Sequence, residues 1–295
     1  MTMQRFRIKD LGQVDRSKPL RFKFDGKFYE GYRGDTLASA LLANGIHLVG
    51  RSFKYHRPRG LLSAGAEEPN ALIQVGEGNS TDPNTRATQI ILRDGLTVKS
   101  QNRWPNLTFD LGYINSLIHR LLPAGFYYKT FMWPASWWMR YEYWIRRAAG
   151  LGEAPKGADP DRYEKNHAHC DVLIVGSGPA GLSAALAAGQ TGARVILTEE
   201  QNSFGGSLTY NTDCTIDGSP AFEWVKRKVA TLSSMPEVIL LKATVTTGYY
   251  DHNYLTLLET TDNDNQTGSE YKTRQRLWKV RAKRVVLATG QIERP

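Results

Sequence analysis

Between residues 20 and 45 the hydrophobic period of the chain changes from two to that of a helix. Leu20-Arg-Phe-Lys-Phe24 alternates, Asp25-Gly26 supplies a hairpin turn, and Lys27-Phe-Tyr-Glu-Gly31 returns as a second strand. The run Thr36-Leu-Ala-Ser-Ala-Leu-Leu-Ala-Asn44 then reads as a helix, with Asp35 placed to cap it and Gly45 to close it. Strand, strand, helix is how β-grasp modules open, an opening that other α+β folds share. Beyond a basic loop from Arg51 to Gly65, short strands are predicted at Ala71–Val75, Thr88–Leu92 and Leu96–Lys99, the last two joined at Asp94-Gly95. The first module therefore spans residues 1–102.

Residues 103–166 read as a connecting region of different character, with ten aromatics between Phe126 and Trp144. Pro123, Pro134, Lys129 and Arg140 break that stretch too often for a membrane span. So much aromatic surface is costly to leave in water, so it is expected either to pack against the next domain or to meet another protein. Gly150-Leu-Gly-Glu-Ala-Pro-Lys-Gly-Ala-Asp-Pro-Asp161 follows with the composition of a linker.

Residues 167–295 read as a Rossmann-type domain. The apolar strand Val172–Val175 runs into Gly176-Ser-Gly178-Pro-Ala-Gly181 and a helix of small residues to about Gln190. Strand before and helix after make this a dinucleotide fingerprint. Gly176 serves the tight turn, Gly178 lets a pyrophosphate approach the backbone, and Gly181 with Ala185 lets the helix lie close to the sheet. Pro179 and Ala180 occupy the first helical turn, where a missing proline N–H is no loss and the free amides face an anion. A second strand, Arg194–Thr198, ends at Glu199, which lies 21 residues after Gly178, where an acidic ribose ligand is expected. Glu199 and its solvated neighbour Glu200 should repel a 2′-phosphate, which favours NAD or FAD over NADP. Gly205-Gly206 marks a turn close to the dinucleotide. Arg284-Val-Val-Leu287 is an apolar strand that ends in Ala288-Thr289-Gly290. Between these pieces a helix is predicted at Pro220–Ser234, a strand at Val238–Val245, a strand pair at Tyr254–Glu259 and Arg276–Val280, and a polar loop over 260–274.

Composition narrows the class. The 295 residues are 41% hydrophobic and 23% charged, with net charge +9, which is ordinary globular composition. All the basicity lies early: residues 1–169 hold 25 Lys and Arg against 16 Asp and Glu, the remainder 13 against 13. The cations are dispersed without a dense block, so a general cationic surface is expected rather than a nucleic-acid site. The start carries no apolar export signal and no apolar run is long enough to span a membrane, so neither membrane nor secretion is expected. Cys170 and Cys214 are the only cysteines, too few for a four-thiolate zinc or iron–sulfur site, and they suit a reducing, cytoplasmic compartment. His167-x-His169-Cys170 invites a metal reading but lacks a fourth ligand, so no metal and no catalytic residue is assigned.

The chain resembles the α subunit of heterotetrameric sarcosine oxidases. The resemblance rests on Arg51-Ser-Phe-Lys-Tyr-His-Arg-Pro-Arg-Gly60, Glu68-Pro-Asn-Ala-Leu72, Gly125-Phe-Tyr-Tyr-Lys-Thr-Phe-Met-Trp-Pro134, Ala168-His-Cys-Asp-Val172 and Ala288-Thr-Gly-Gln-Ile-Glu-Arg-Pro295. It implies oxidative demethylation of sarcosine to glycine, with hydrogen peroxide and formaldehyde or methylene-tetrahydrofolate. It also implies NAD on this subunit, with β, γ and δ subunits as partners. FAD and a covalently attached FMN belong with the partner subunit, and tetrahydrofolate with a C-terminal domain beyond Pro295. The first module also resembles the iron–sulfur-type β-grasp domain of amine and opine dehydrogenases, whose cluster would need thiolates in the loop after Gly60. Leu61-Leu-Ser-Ala-Gly-Ala-Glu-Glu-Pro69 has none, so no cluster is expected. His56, among Arg51, Lys54, Arg57 and Arg59, reads as part of a solvated basic loop, the sharper alternative being a contact to a flavin phosphate. The expected architecture is thus mixed α+β and α/β: a cluster-free, ferredoxin-like β-grasp module followed by an incomplete Rossmann-type FAD/NAD(P)-binding domain. An FAD- or NAD-dependent amine or opine dehydrogenase subunit and a nucleotide-binding scaffold are the competing functional readings.

Overall fold

Alternation, a Gly-containing turn and a small-residue helix produce the expected hairpin and helix in the computed structural model. It describes residues 4–9, 12, 14–122, 125, 131–152, 154–211, 213–261 and 273–291. The chain divides into two units, Met1–Pro160 and Asp161–Pro295.

In the first unit, β1 (Asp15–Phe24) and β2 (Lys27–Arg33) pair antiparallel about Asp25-Gly26, and α1 (Leu37–Ala43) follows. A two-residue ladder, β3 (Gly50–Arg51) with β4 (Pro58–Arg59), brackets the basic loop. β5 (Leu72–Val75), β6 (Asp82–Arg86) and β7 (Thr97–Ser100) complete a sheet of order β2-β1-β7-β5-β6, in which β7 runs parallel to β1. That order is the β-grasp one. Leu37 and Leu41 of α1 close over Phe22, Ile73 and Val98, all essentially inaccessible to solvent, so period-two and helical apolar faces form one core.

Two local expectations are corrected. The residue that caps α1 is Thr36, not Asp35: Thr36 Oγ1 accepts from Ser39 N–H and Ser39 Oγ from Thr36 N–H, a reciprocal capping box. Asp35 is instead buried, accepting from Tyr32 N–H, Ser39 Oγ and the Arg7 guanidinium. Thr88–Leu92 forms no strand, because Ala87 and Ile90 carbonyls accept the first amides of α1, from Ala38 and Leu37. The fourth strand is the polar Asp82–Arg86, which the apolar pattern does not reveal.

In the basic loop Arg57 and Arg59 are exposed as expected, but two of its members are not. Arg51 and His56 are buried, with Arg51 donating to the Leu107 and His56 carbonyls and His56 Nδ1 lying 2.7 Å from Asp110 Oδ2. Buried charge is retained because it is paired and hydrogen-bonded. Glu68 is fully buried and accepts N–H groups from Leu62, Ser63 and Asn70 at 2.7–2.8 Å, which shapes the loop after Gly60. Glu68→Ala strands three amides and is expected to destabilise the first unit by about 3 kcal/mol. Urea unfolding followed by amide exchange of Leu62, Ser63 and Asn70 checks this; unchanged protection there would refute it.

Past Asn102 come α2 (Ile114–Leu117) and α3 (Trp138–Ala149), closed by Gly150 in the left-handed region. Trp133 and Trp144 are 84% and 67% exposed. Phe126, Tyr127 and Tyr128 lie outside the described residues.

The second unit starts with β8 (Arg162–Val175), then α4 (Pro179–Gln190), β9 (Val195–Thr198), a small ladder of β10 (Thr215–Ile216) with β11 (Ser219–Pro220), and α5 (Ala221–Ser233). Next come β12 (Val238–Leu241), β13 (Thr244–Tyr250), β14 (Tyr254–Thr260) and β15 (Thr273–Leu287). The sheet order is β12-β9-β8-β15-β14-β13, parallel across the first four and antiparallel across the rest. With α4 and α5 as crossovers, this is half of a doubly wound sheet followed by a meander.

Three expectations change here. The fingerprint strand begins at Arg162, not Val172, because the polar half of β8 pairs with the polar half of β15. The predicted strands at Arg276–Val280 and Arg284–Leu287 are one strand, β15. Glu164, Arg276 and Glu259 sit side by side across β8, β15 and β14, with Trp278 Nε1 donating to Glu259 at 2.7 Å; these pairs pin a register that apolar alternation leaves open. Val238–Val245 divides at Ala243, whose φ is +49°, so β12 joins β9 while β13 turns to β14. Of the predicted 260–274 loop, residues 262–272 lie outside the described set.

Candidate dinucleotide site

The site forms where β8 ends and α4 begins. Gly176 has φ +97°, and a Cβ there would lie 2.4 Å from the Ala288 carbonyl oxygen. A Cβ on Gly181 would lie 1.9 Å from the Gly176 carbonyl oxygen. Both glycines thus permit close approach of backbone to backbone. Gly178 differs: an added Cβ would meet no heavy atom within 4 Å. It is the N-cap of α4 and has no side chain of its own to satisfy the first amides. Pro179 takes the first helical position, and it and Ala180 are exposed. The opening therefore presents backbone N–H donors and the positive end of a helix to space that an anionic group can fill.

Glu199 follows β9 and is 5% exposed. Its Oε2 accepts Ser177 N–H at 3.0 Å and Ser177 Oγ–H at 2.5 Å, and Oε1 accepts Gln201 N–H at 3.0 Å. Glu200 faces solvent. Gly205 donates its N–H to Ser177 Oγ at 3.0 Å, and a Cβ on Gly206 would lie 3.0 Å from Gly178 Cα, so the Gly205-Gly206 turn lies against the fingerprint. Ala288 N–H donates to the Val175 carbonyl at 2.8 Å, which places the end of β15 beside the Gly176 turn. Thr289 and Gly290 continue from there into solvent.

The structure thus gathers Gly176, Gly178, Pro179, Ala180, Gly181, Glu199, Gly205, Gly206 and Ala288 around one opening. It adds Ser177, which sequence reasoning passed over as a variable position of the motif. The available signal was a hydroxyl in a turn whose other members are glycines, with an acidic residue ending the next strand. These groups suit a pyrophosphate and a ribose diol. The polar side chains among them, Ser177 and Glu199, are engaged with each other and with backbone N–H groups, and the rest of the opening is lined by backbone and small residues.

Cys170 lies in the core with Leu173, Ile196 and Leu255, while His167 and His169 are exposed. Among the described residues no three His, Cys, Asp or Glu converge as metal ligands. Burial, and then the Asp171 charge, push the Cys170 thiol from 9.0 to about 11. Alkylation of the native protein followed by peptide mapping should therefore label the half-buried Cys214 and spare Cys170. The unfolded thiol ionises first, so Cys170 withdraws stability as pH rises from about 9 towards 11. A Cys170→Ser control lacking that alkaline decline would support this origin.

Residues 17–103 match the family model described as a 2Fe-2S iron–sulfur cluster binding domain, and residues 171–235 the one for FAD dependent oxidoreductases. Both cysteines lie in the second unit, so the first unit holds no thiolate and its residues do not fit a cluster. The chain is 54% identical over 294 residues to sarcosine oxidase subunit alpha of Rhizobium meliloti (strain 1021), a match that takes in 99% of this chain and 30% of the relative. To the same subunit of Corynebacterium sp. (strain P-1) it is 37% identical over 285 residues, 96% of this chain and 25% of the relative. The chain thus spans less than a third of the length of these relatives. The solved structure of L-proline dehydrogenase from P. horikoshii aligns with 98% of this chain and 44% of its own, at a TM-score of 0.58 and 22% identity, a likeness of fold.

Proposed function

We propose that this chain is the cofactor-holding part of a sarcosine oxidase α subunit, working within a complex that demethylates sarcosine oxidatively. The observation that carries the reading is the open space above Gly178, with Glu199 buried at the end of β9, in a chain 54% identical to such a subunit. Gly178 and Ala180 hold the pyrophosphate by backbone N–H donors, Pro179 sets the first helical turn between them, and Glu199 accepts from a ribose hydroxyl. When bound, the dinucleotide supplies hydride-transfer capacity or a structural anchor; this chain's residues hold and orient it and keep the Gly205-Gly206 turn over it.

Two adjacent glutamates disfavour a 2′-phosphate, which leaves NAD or FAD; we take NAD because the resemblance to sarcosine oxidase α subunits implies it, with FAD, which the oxidoreductase model names, as the alternative. A flavin held by the partner subunit would supply hydride acceptance from sarcosine's N-methyl carbon and pass the two electrons to dioxygen, with water releasing formaldehyde from the resulting iminium where folate does not take the one-carbon unit. The products are glycine, peroxide and either formaldehyde or methylene-tetrahydrofolate, with the amine and folate contacts outside these residues. The β, γ and δ subunits are the proposed partners, in the cytoplasm.

The test is to purify the full-length protein with its co-assembling subunits, release the dinucleotide by acid and identify it by mass. NAD in proportion to this chain supports the assignment. FAD there, with sarcosine oxidised to a dye but yielding no peroxide, selects an amine or opine dehydrogenase subunit instead.

A further inference from the structure

Within Gly176-Ser177-Gly178 only the middle residue has a side chain, and it is fully buried. Ser177 Oγ donates to Glu199 Oε2 at 2.5 Å and accepts the Gly205 N–H at 3.0 Å. One hydroxyl therefore joins the fingerprint turn, the acidic residue 22 positions on and the glycine turn 28 positions on. Glu199 would otherwise be a flexible carboxylate at a strand end. Here its two oxygens take three donors, which fixes the rotamer and leaves lone-pair capacity for a further donor such as a ribose hydroxyl. Gly205, at φ +125°, has no side chain with which to hold the turn in place.

We propose that Ser177 is a positioning residue that sets the specificity of this site: by clamping Glu199 and the Gly205-Gly206 turn, it selects dinucleotides with a free adenosine 2′-hydroxyl. This rests on the reading of the site as a dinucleotide site. Without the hydroxyl, the Ser177 N–H still reaches Glu199, but Oε2 loses its shorter partner and Gly205 N–H loses its acceptor. With three donors the carboxylate is held against turning away from a 2′-phosphate, whereas with only the Ser177 and Gln201 amides left, and the Gly205-Gly206 turn released, it yields more readily. Discrimination as well as affinity is therefore routed through Ser177. A role confined to stability would leave the discrimination unchanged.

The experiment uses the full-length protein with its subunits, stripped of dinucleotide, and the probes are ADP-ribose and 2′-phospho-ADP-ribose. Both carry the adenosine diphosphate portion that NAD and FAD share. Ser177→Ala is expected to weaken ADP-ribose about tenfold, the effect of losing one hydrogen bond to a charged group, and to narrow the preference over the phosphorylated probe. Because Ser177 acts through Glu199, the same change in a Glu199→Gln background should cost less than about threefold more. Ser177→Cys keeps the volume with a weak donor and should fall between; it carries the test if the alanine variant does not fold. A lowered melting temperature with unchanged affinity and preference, or losses that simply add in the double variant, would overturn the proposal. If the unmodified protein fails to bind ADP-ribose, or Gly178→Val binds it equally well, the reading of the site fails instead.

Discussion

Gly178→Val is expected to abolish dinucleotide retention while leaving the fold intact. A Cβ at Gly178 meets nothing within 4 Å and the backbone there has φ −63°, which any residue adopts. The protein therefore tolerates the side chain, and the only thing displaced is whatever occupies the opening. Two valine methyls where a pyrophosphate must approach the first amides of α4 should cost at least a hundredfold in affinity, about 2.7 kcal/mol. The melting temperature of the dinucleotide-free protein should move by no more than about 2 °C, since no buried contact is altered. Titration of the stripped protein with NAD and with FAD, beside calorimetry, checks both halves. A variant that melts far below the parent, or one that keeps its dinucleotide, refutes the geometry.

Gly181→Ala should fail in the opposite way. The added methyl would lie 1.9 Å from the Gly176 carbonyl oxygen, with the Ala288 methyl at 3.4 Å on another side. Both neighbours belong to the backbone junction of β8, α4 and β15, so no flexible side chain can yield. The helix must lift from the sheet, at a cost of about 3 kcal/mol, most of it visible without any ligand. Dinucleotide loss follows as a consequence of the displaced helix. Two glycines three residues apart in one motif thus serve ligand approach in one case and internal packing in the other. Equal melting temperatures for Gly181→Ala and the parent would sink that distinction.

The two units differ in how much of their architecture the amino-acid pattern exposes. In the first, the hairpin about Asp25-Gly26 and the α1 helix are local events, set by period, turn chemistry and small residues within a few positions. Strand β6 is not, because Asp82–Arg86 is polar and joins the sheet only through its partner β5. The same is true of the basic loop. Arg51 and His56 have the composition of a solvated segment, and only Leu107 and Asp110, more than fifty positions away, draw them inside.

By itself the sequence determines the order strand, hairpin, helix in the first unit and strand, glycine turn, helix in the second. It also determines the absence of cluster thiolates and the acidic residue that ends β9. Each of these depends on residue chemistry or on spacing within about 20 positions, where sterics and hydrogen bonding are local. The tertiary structure alone decided that β8 and β15 are long paired strands, that Thr36 rather than Asp35 caps α1, and that Val238–Val245 divides between two neighbours. It also decided that Ser177 ties Glu199 to Gly205. Apart from the Thr36 cap, which Ser39 completes locally while Asp35 pairs with Arg7, those outcomes turn on which donor meets which acceptor across separations of up to about a hundred residues, and such pairings are chosen by the packing of the whole sheet rather than by any local propensity.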